Sequence, residues 1–184
     1  REPARRLFFA LWPDPDTREA LVRATREGIR RSGGRPVPGE NLHATLAFLG
    51  AVPEGRIEAV REAGRAAAAA TPMPLELRVA AIDFWPRPQV LVALAETPAP
   101  AVALAERLWA GVEPLGIPRD PRPLRLHLTL ARKLREPPAG LVLEPVNWTA
   151  GDLALVESAT HPAGARYTPI ARWPLGRPAT GVTP

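Results

Sequence analysis

Cysteine is absent from the 184 residues, and lysine occurs once, at Lys133. The first absence excludes disulfides, thiolate zinc sites and cysteine nucleophiles together. Histidine is nearly as scarce, with three in the chain, His43, His127 and His161. No apolar run approaches the roughly 20 residues of a membrane-spanning helix. The stretch Leu7-Phe8-Phe9-Ala10-Leu11-Trp12 follows Arg5-Arg6 as the apolar part of a signal peptide would, but it is short and runs into Pro13-Asp14-Pro15 in place of a small-residue cleavage site. It reads as a buried strand, and the chain as cytoplasmic, with no membrane partner. A Walker-type glycine loop is missing, as is a nucleotidyl-transfer lysine motif, so no ATP-driven reaction is expected. Zinc hydrolysis is disfavoured as well, because H-E-x-x-H and cysteine ligands are both lacking.

What is present suits a well-packed protein with an anionic partner. Apolar residues make up 46% of the chain, enough for a substantial interior, and the net charge is +5. Almost all of the basic residues are arginine, whose planar fork suits phosphate. Arginine, alanine and proline abundance also fits a GC-rich genome or heat adaptation, so composition permits nucleic acid without requiring it.

Periodicity predicts strands at residues 5–12, 42–49, 75–85, 89–96, 124–132, 152–158 and 166–174. Helices are expected after Asp14 or Asp16, with Asp16 and Glu19 placed for a capping box, and over residues 54–69 with Ile57, Val60, Gly64 and Ala67 on one face. The stripe Ala105, Leu108, Trp109, Val112 and Leu115 marks a third helix. Strands joined around Pro86-Arg87-Pro88 form a hairpin, and the mixture favours α+β over a doubly wound parallel sheet.

An internal repeat carries the functional signal. Leu42-His43-Ala44-Thr45-Leu46-Ala47 recurs as Leu126-His127-Leu128-Thr129-Leu130-Ala131, so two of the three histidines occupy equivalent places. Side chains alternate along a strand, so each copy presents histidine and threonine on one face and apolar residues on the other. Two imidazoles can divide acid and base work near neutral pH. Two threonine hydroxyls can hydrogen-bond phosphate oxygens. A lone strand histidine is more often structural; the duplication is what turns this pair into a candidate site.

The paired His43-Ala44-Thr45-Leu46 and His127-Leu128-Thr129-Leu130 resemble the H-x-T-x motifs of the 2H phosphoesterase superfamily. Within it, the chain resembles the RNA 2′,3′-cyclic phosphodiesterases, also called 2′-5′ RNA ligases. The likeness extends from Arg6-Leu7-Phe8-Phe9-Ala10 through Val37-Pro38-Gly39-Glu40-Asn41 to Tyr167-Thr168-Pro169-Ile170-Ala171-Arg172-Trp173. It implies one bilobal α+β domain over residues 1–184, with two pseudo-symmetric antiparallel-sheet lobes, outer helices and a central cleft. It implies hydrolysis of an RNA 2′,3′-cyclic phosphate end to a 2′-phosphate, with no metal or cofactor, by a monomer, with reversible ATP-independent 2′-5′ ligation as the same chemistry run backwards. By carry-over His43 is the proton donor and His127 the proton acceptor, while Thr45, Thr129, Arg132 and Phe48 contact the substrate. The alternative is a non-catalytic module that binds RNA ends.

Three points depart from that pattern. Leu126 stands where family members often carry a constrained residue before the second histidine. Strict alternation puts Arg132 and Phe48 on the apolar face, so Arg132 requires the strand to end or bulge, and Phe48 reads as a core residue. Arg125 and Lys133 share the parity of His127 and rival Arg132 as phosphate contacts. Trp85, Trp109, Trp148, Tyr167 and Trp173 read as packing residues and His161 as a loop residue, while Trp12, near a strand end, could line the cleft but reads better as core.

Overall fold

A computed structural model describes residues 1–176. The order is β1 (Ala4–Leu11), α1 (Pro15–Ser32), β2 (Arg35–Pro36), β3 (Ala44–Pro53), α2 (Ile57–Ala70), β4 (Leu75–Trp85), β5 (Val90–Ala95), α3 (Ala99–Val112), β6 (His127–Arg132), β7 (Val146–Ala150), β8 (Asp152–His161) and β9 (Gly164–Pro174). All neighbouring strands pair antiparallel, in the order β7-β4-β5-β6-β3-β1-β8-β9, with β2 added to β6. The sheet therefore divides into two four-stranded halves, β3-β1-β8-β9 and β6-β5-β4-β7, which meet at β3 and β6. One registered pair, Ala44 with Leu128, forms that seam. The expected bilobal α+β architecture is what the chain adopts.

Alternation assigns the two faces. Leu7, Phe9 and Leu11 of β1, Leu128 of β6 and Leu155 of β8 belong to the main core, together with Leu21 and Ile29 of α1, Val60 of α2, and Leu104 and Leu108 of α3. Burial of this face against the helices supplies the main stabilisation of the fold. The intervening residues Phe8, Ala10, Ala154 and Val156 form a second, smaller apolar cluster edged by Trp12 and Tyr167. β1 lies between β3 and β8 with both faces covered, which is why its sequence is apolar without alternation.

Local signals explain the helices, with one correction. Asp14, rather than Asp16, caps α1: its carboxylate accepts from the Thr17 amide at 2.8 Å and from the Thr17 hydroxyl at 3.0 Å. Glu19, released from the expected capping box, accepts from Arg23 one turn on. Gly33 closes the helix in the left-handed conformation at φ 71°, a position that favours glycine. Among the described residues the expected seven strands become nine, because β2 has only two residues and β7 lies in a stretch without clear periodicity. No helix among the described residues is long and apolar enough to cross a membrane.

Gly64 sets how closely α2 approaches the sheet. A Cβ there would lie 2.6 Å from ring atoms of both Phe9 and Trp173. Alanine favours a helix by about 1 kcal/mol over glycine, but forcing a methyl into a filled core costs about 1–3 kcal/mol. Gly64→Ala is expected to lower the thermal midpoint by a few degrees; a rise would show that the rings move aside freely.

Candidate active site

The seam brings the two repeats together. Continuing the Ala44–Leu128 register by one residue in each direction sets His43 across from Thr129 and Thr45 across from His127. A pseudo-two-fold axis thus runs through the Ala44–Leu128 pair, with an imidazole and a hydroxyl on either side. All four polar side chains are partly buried on the face opposite the main core. Leu126, in place of a constrained residue, leaves this arrangement intact.

Both rings are fixed in the same way. His43 Nδ1 lies 2.7 Å from the Asn41 carbonyl oxygen, and His127 Nδ1 lies 2.7 Å from that of Arg125. A carbonyl only accepts, so Nδ1–H donates in each case and Nε2 is left for chemistry. Each anchor comes from the residue two positions earlier, so the loop entering the strand sets tautomer and ring orientation.

The surroundings break the symmetry. His43 stacks on Trp12, with ring centroids 4.7 Å apart, and on Phe8 at 5.0 Å, while Tyr167 meets it edge-on at 5.0 Å. Trp12 is itself held by donation from Nε1 to the Glu40 carbonyl at 2.8 Å. Among the described residues His127 has one aromatic neighbour, Trp85, at 4.6 Å. Trp85 donates to Asp83 at 2.9 Å and carries the Arg125 guanidinium over its ring at 5.3 Å. Trp12, Trp85 and Tyr167, read from sequence as packing residues, therefore line the histidines. The available signal was β1 itself: a strand apolar on both faces must cover something on each. Trp109 and Trp148 are core residues as expected, and Trp173 packs against the core. His161, expected in a loop, is instead the last residue of β8 and accepts from the Ala163 amide at 3.1 Å in the turn that follows.

The parity conflict at Phe48 and Arg132 has one cause. Val92 pairs with Thr129 but Leu91 pairs with Ala131, so Leu130 is an extra residue in β6. Ala10 pairs with Thr45 but Phe9 pairs with Ala47, so Leu46 is an extra residue in β3. These bulges occupy equivalent positions in the repeat, and each flips the following residues to the other face. Arg132 and Phe48 consequently share the histidine face and are themselves equivalent. Phe48 is 48% exposed, which corrects its reading as a core residue, and the Arg6 guanidinium sits 5.4 Å above its ring. Lys133, beyond the bulge and with φ 61°, falls off the parity that made it a rival contact. Arg125 remains beside His127, occupied by Trp85 and by Asp83 at 3.7 Å.

Enclosure by aromatic rings deprives the His43 imidazolium of water and pushes its pKa below the ordinary 6.5. The Asn41 carbonyl opposes this shift, while the positive charges of Arg132 and His127 add to it. The folded state thus binds this proton less readily than the unfolded chain. The resulting stabilisation is present above pH 6.5 and is lost as pH falls through the folded-state value. In an NMR titration the His43 ring protons should move with a midpoint below 6.5. Trp12→Leu, which opens one side of the cage, should raise that midpoint; an unchanged value would remove aromatic enclosure as the cause.

No group of three or more His, Asp or Glu side chains capable of holding a metal ion occurs among the described residues. The arrangement offers two opposed nitrogen acid–base groups, two hydroxyl donors between them, and a cation and an aromatic ring at the flanks.

Comparison with known proteins agrees with that chemistry. The model of the 2′-5′ RNA ligase superfamily matches residues 13–162. The chain is 35% identical to an RNA 2′,3′-cyclic phosphodiesterase of Thermus thermophilus, over 92% of this chain and 90% of that one. It is 31% identical to an RNA 2′,3′-cyclic phosphodiesterase of Escherichia coli, over 93% of this chain and 97% of that one. A Thermus thermophilus protein of solved crystal structure superposes with a TM-score of 0.80 at 34% identity, covering 94% of this chain and 98% of the other.

Proposed function

Because the chain belongs to the 2′-5′ RNA ligase superfamily, alongside its RNA 2′,3′-cyclic phosphodiesterases, we propose that it hydrolyses RNA 2′,3′-cyclic phosphate ends to 2′-phosphates without a metal. The observation that carries this reading is the pseudo-two-fold placement of His43 and His127 about the Ala44–Leu128 pair. Displacement at phosphorus requires the entering and leaving oxygens on opposite sides. A phosphate lying on the axis meets one imidazole on each side.

In the proposed reaction, His127 Nε2 takes a proton from water as the water oxygen bonds to phosphorus. The bond from phosphorus to the 3′-oxygen breaks, and His43 Nε2 gives that oxygen its proton. The products are a 2′-phosphate and a free 3′-hydroxyl. Thr45 and Thr129 donate to the non-bridging oxygens, whose charge grows in the transition state. Arg132 contacts the substrate from the His43 side, and Phe48 offers a stacking surface on the His127 side. Attack by an RNA 5′-hydroxyl in place of water yields a 2′-5′ linkage by the same steps, without ATP; in dilute solution water prevails. Both histidines come from one chain, so a monomer in a single bilobal domain suffices.

The test is an assay, in EDTA, on a short RNA ending in 2′,3′-cyclic phosphate, with the product end identified. Conversion to a 2′-phosphate supports the reading. Tight, salt-sensitive binding without turnover would overturn it in favour of an RNA-end-binding module.

A further inference from the structure

Among the described residues β2 has no counterpart on β3, and it places a second arginine beside Arg132. Arg35 pairs directly with Arg132, Pro36 pairs with Ala131, and the Val37 amide donates to the Leu130 carbonyl at 2.8 Å. Directly opposed residues share a face, with Cβ atoms about 4.5–5.5 Å apart, and like charges in that relation repel. The bulge at Leu130 has already put Arg132 on the histidine face, so Arg35 faces the same way. Two other arginines of this face have carboxylate partners, Arg125 at 3.7 Å from Asp83 and Arg172 at 3.5 Å from Asp152, while Arg6 lies over the Phe48 ring. Neither Arg35 nor Arg132 has a carboxylate partner among the described residues. Two like charges held opposite each other on a two-residue strand make a place for an anion.

Position says which anion. Arg132 lies three strand steps from the Ala44–Leu128 axis once the bulge is discounted, about 10 Å along β6. That is beyond the reacting phosphate, on the His43 side. We propose that Arg35 and Arg132 form a second phosphate subsite, which receives the phosphodiester joining the terminal nucleotide to its neighbour and makes oligonucleotide ends better substrates than cyclic mononucleotides. This rests on the hydrolase reading above and names its substrate class. Arg35 acts here as a specificity-determining residue, with no part in proton transfer.

The experiment compares three substrates: a nucleoside 2′,3′-cyclic phosphate, the dinucleotide ending in that nucleotide, and the same dinucleotide with an uncharged methylphosphonate linkage. For Arg35→Ala the ratio of dinucleotide to mononucleotide kcat/KM should fall about tenfold, as expected for one charge-assisted contact. The methylphosphonate should show no such fall, which separates the internal phosphate from the added base. Relief of the repulsion should also leave Arg35→Gln at least as heat-stable as the parent in low salt. An unchanged ratio, or equal loss on all three substrates, would overturn the subsite. Lack of turnover by the unsubstituted protein on any substrate would instead sink the hydrolase reading, and the subsite with it.

Discussion

Replacing either His43 or His127 by alanine is expected to lower kcat on an RNA 2′,3′-cyclic phosphate by about 10²- to 10⁴-fold, the usual contribution of a positioned acid or base. A second substrate separates their roles. A p-nitrophenyl phosphodiester has a leaving group that needs no proton, so loss of the donor matters little there. His43→Ala should recover most of its activity on that substrate, whereas His127→Ala should not, because water must still be deprotonated. The opposite pattern would exchange the two assignments. The depressed pKa of His43 fits donation: its imidazolium is a stronger acid than an exposed one, and a bound phosphate anion offsets the aromatic enclosure that disfavours it. The double variant should lose much less than the product of the single losses, since acid and base act in one step.

The threonines give the second large effect. Thr45→Val and Thr129→Val keep the β-branched shape and remove one donor each. A hydrogen bond to a charged acceptor contributes about 1.5–3 kcal/mol, so each should cost about 10- to 150-fold in kcat/KM. Their equivalence about the Ala44–Leu128 axis predicts losses of similar size. Serine at either position should retain most of the activity. If valine at one position is silent while the other abolishes turnover, the phosphate does not lie on the axis.

Much of this was legible in the chain because the repeat sits in strands, where a two-residue period converts sequence directly into faces. That period alone places His43 with Thr45 and His127 with Thr129 on shared faces. The amphipathic face of α2 and the core stripe of α3 were equally plain. What alternation could not reveal was its own interruption. Leu46 and Leu130 are ordinary strand leucines, buried on both sides of the comparison, and nothing in their chemistry announces an extra residue. Phe48 reads as a core residue for that reason alone, whereas the resemblance at Arg132 already calls for an end or bulge in its strand. Asp14 and Asp16 were indistinguishable as caps because both precede the helix with suitable side chains. β2 is too short for any period, yet its two residues carry Arg35 to the seam. The aromatic walls around His43 come from β1 and β9, far apart in sequence, and only sheet order makes them neighbours.

The bulges at Leu46 and Leu130 also separate, in each strand, the register of histidine and threonine from the one that follows it. Histidine and threonine are written in the first, and the residue three beyond threonine in the second. Substitution in the second register leaves the first undisturbed, and the chain uses that freedom: the same site holds phenylalanine in one copy and arginine in the other. Reaction chemistry and substrate choice are thereby uncoupled within a single strand, so relatives with new preferences can arise by rewriting one position while the proton-transfer apparatus stays fixed. Deleting either extra leucine would leave the selective residue on the histidine face, whereas regular pairing that kept the leucine in register would turn it inward.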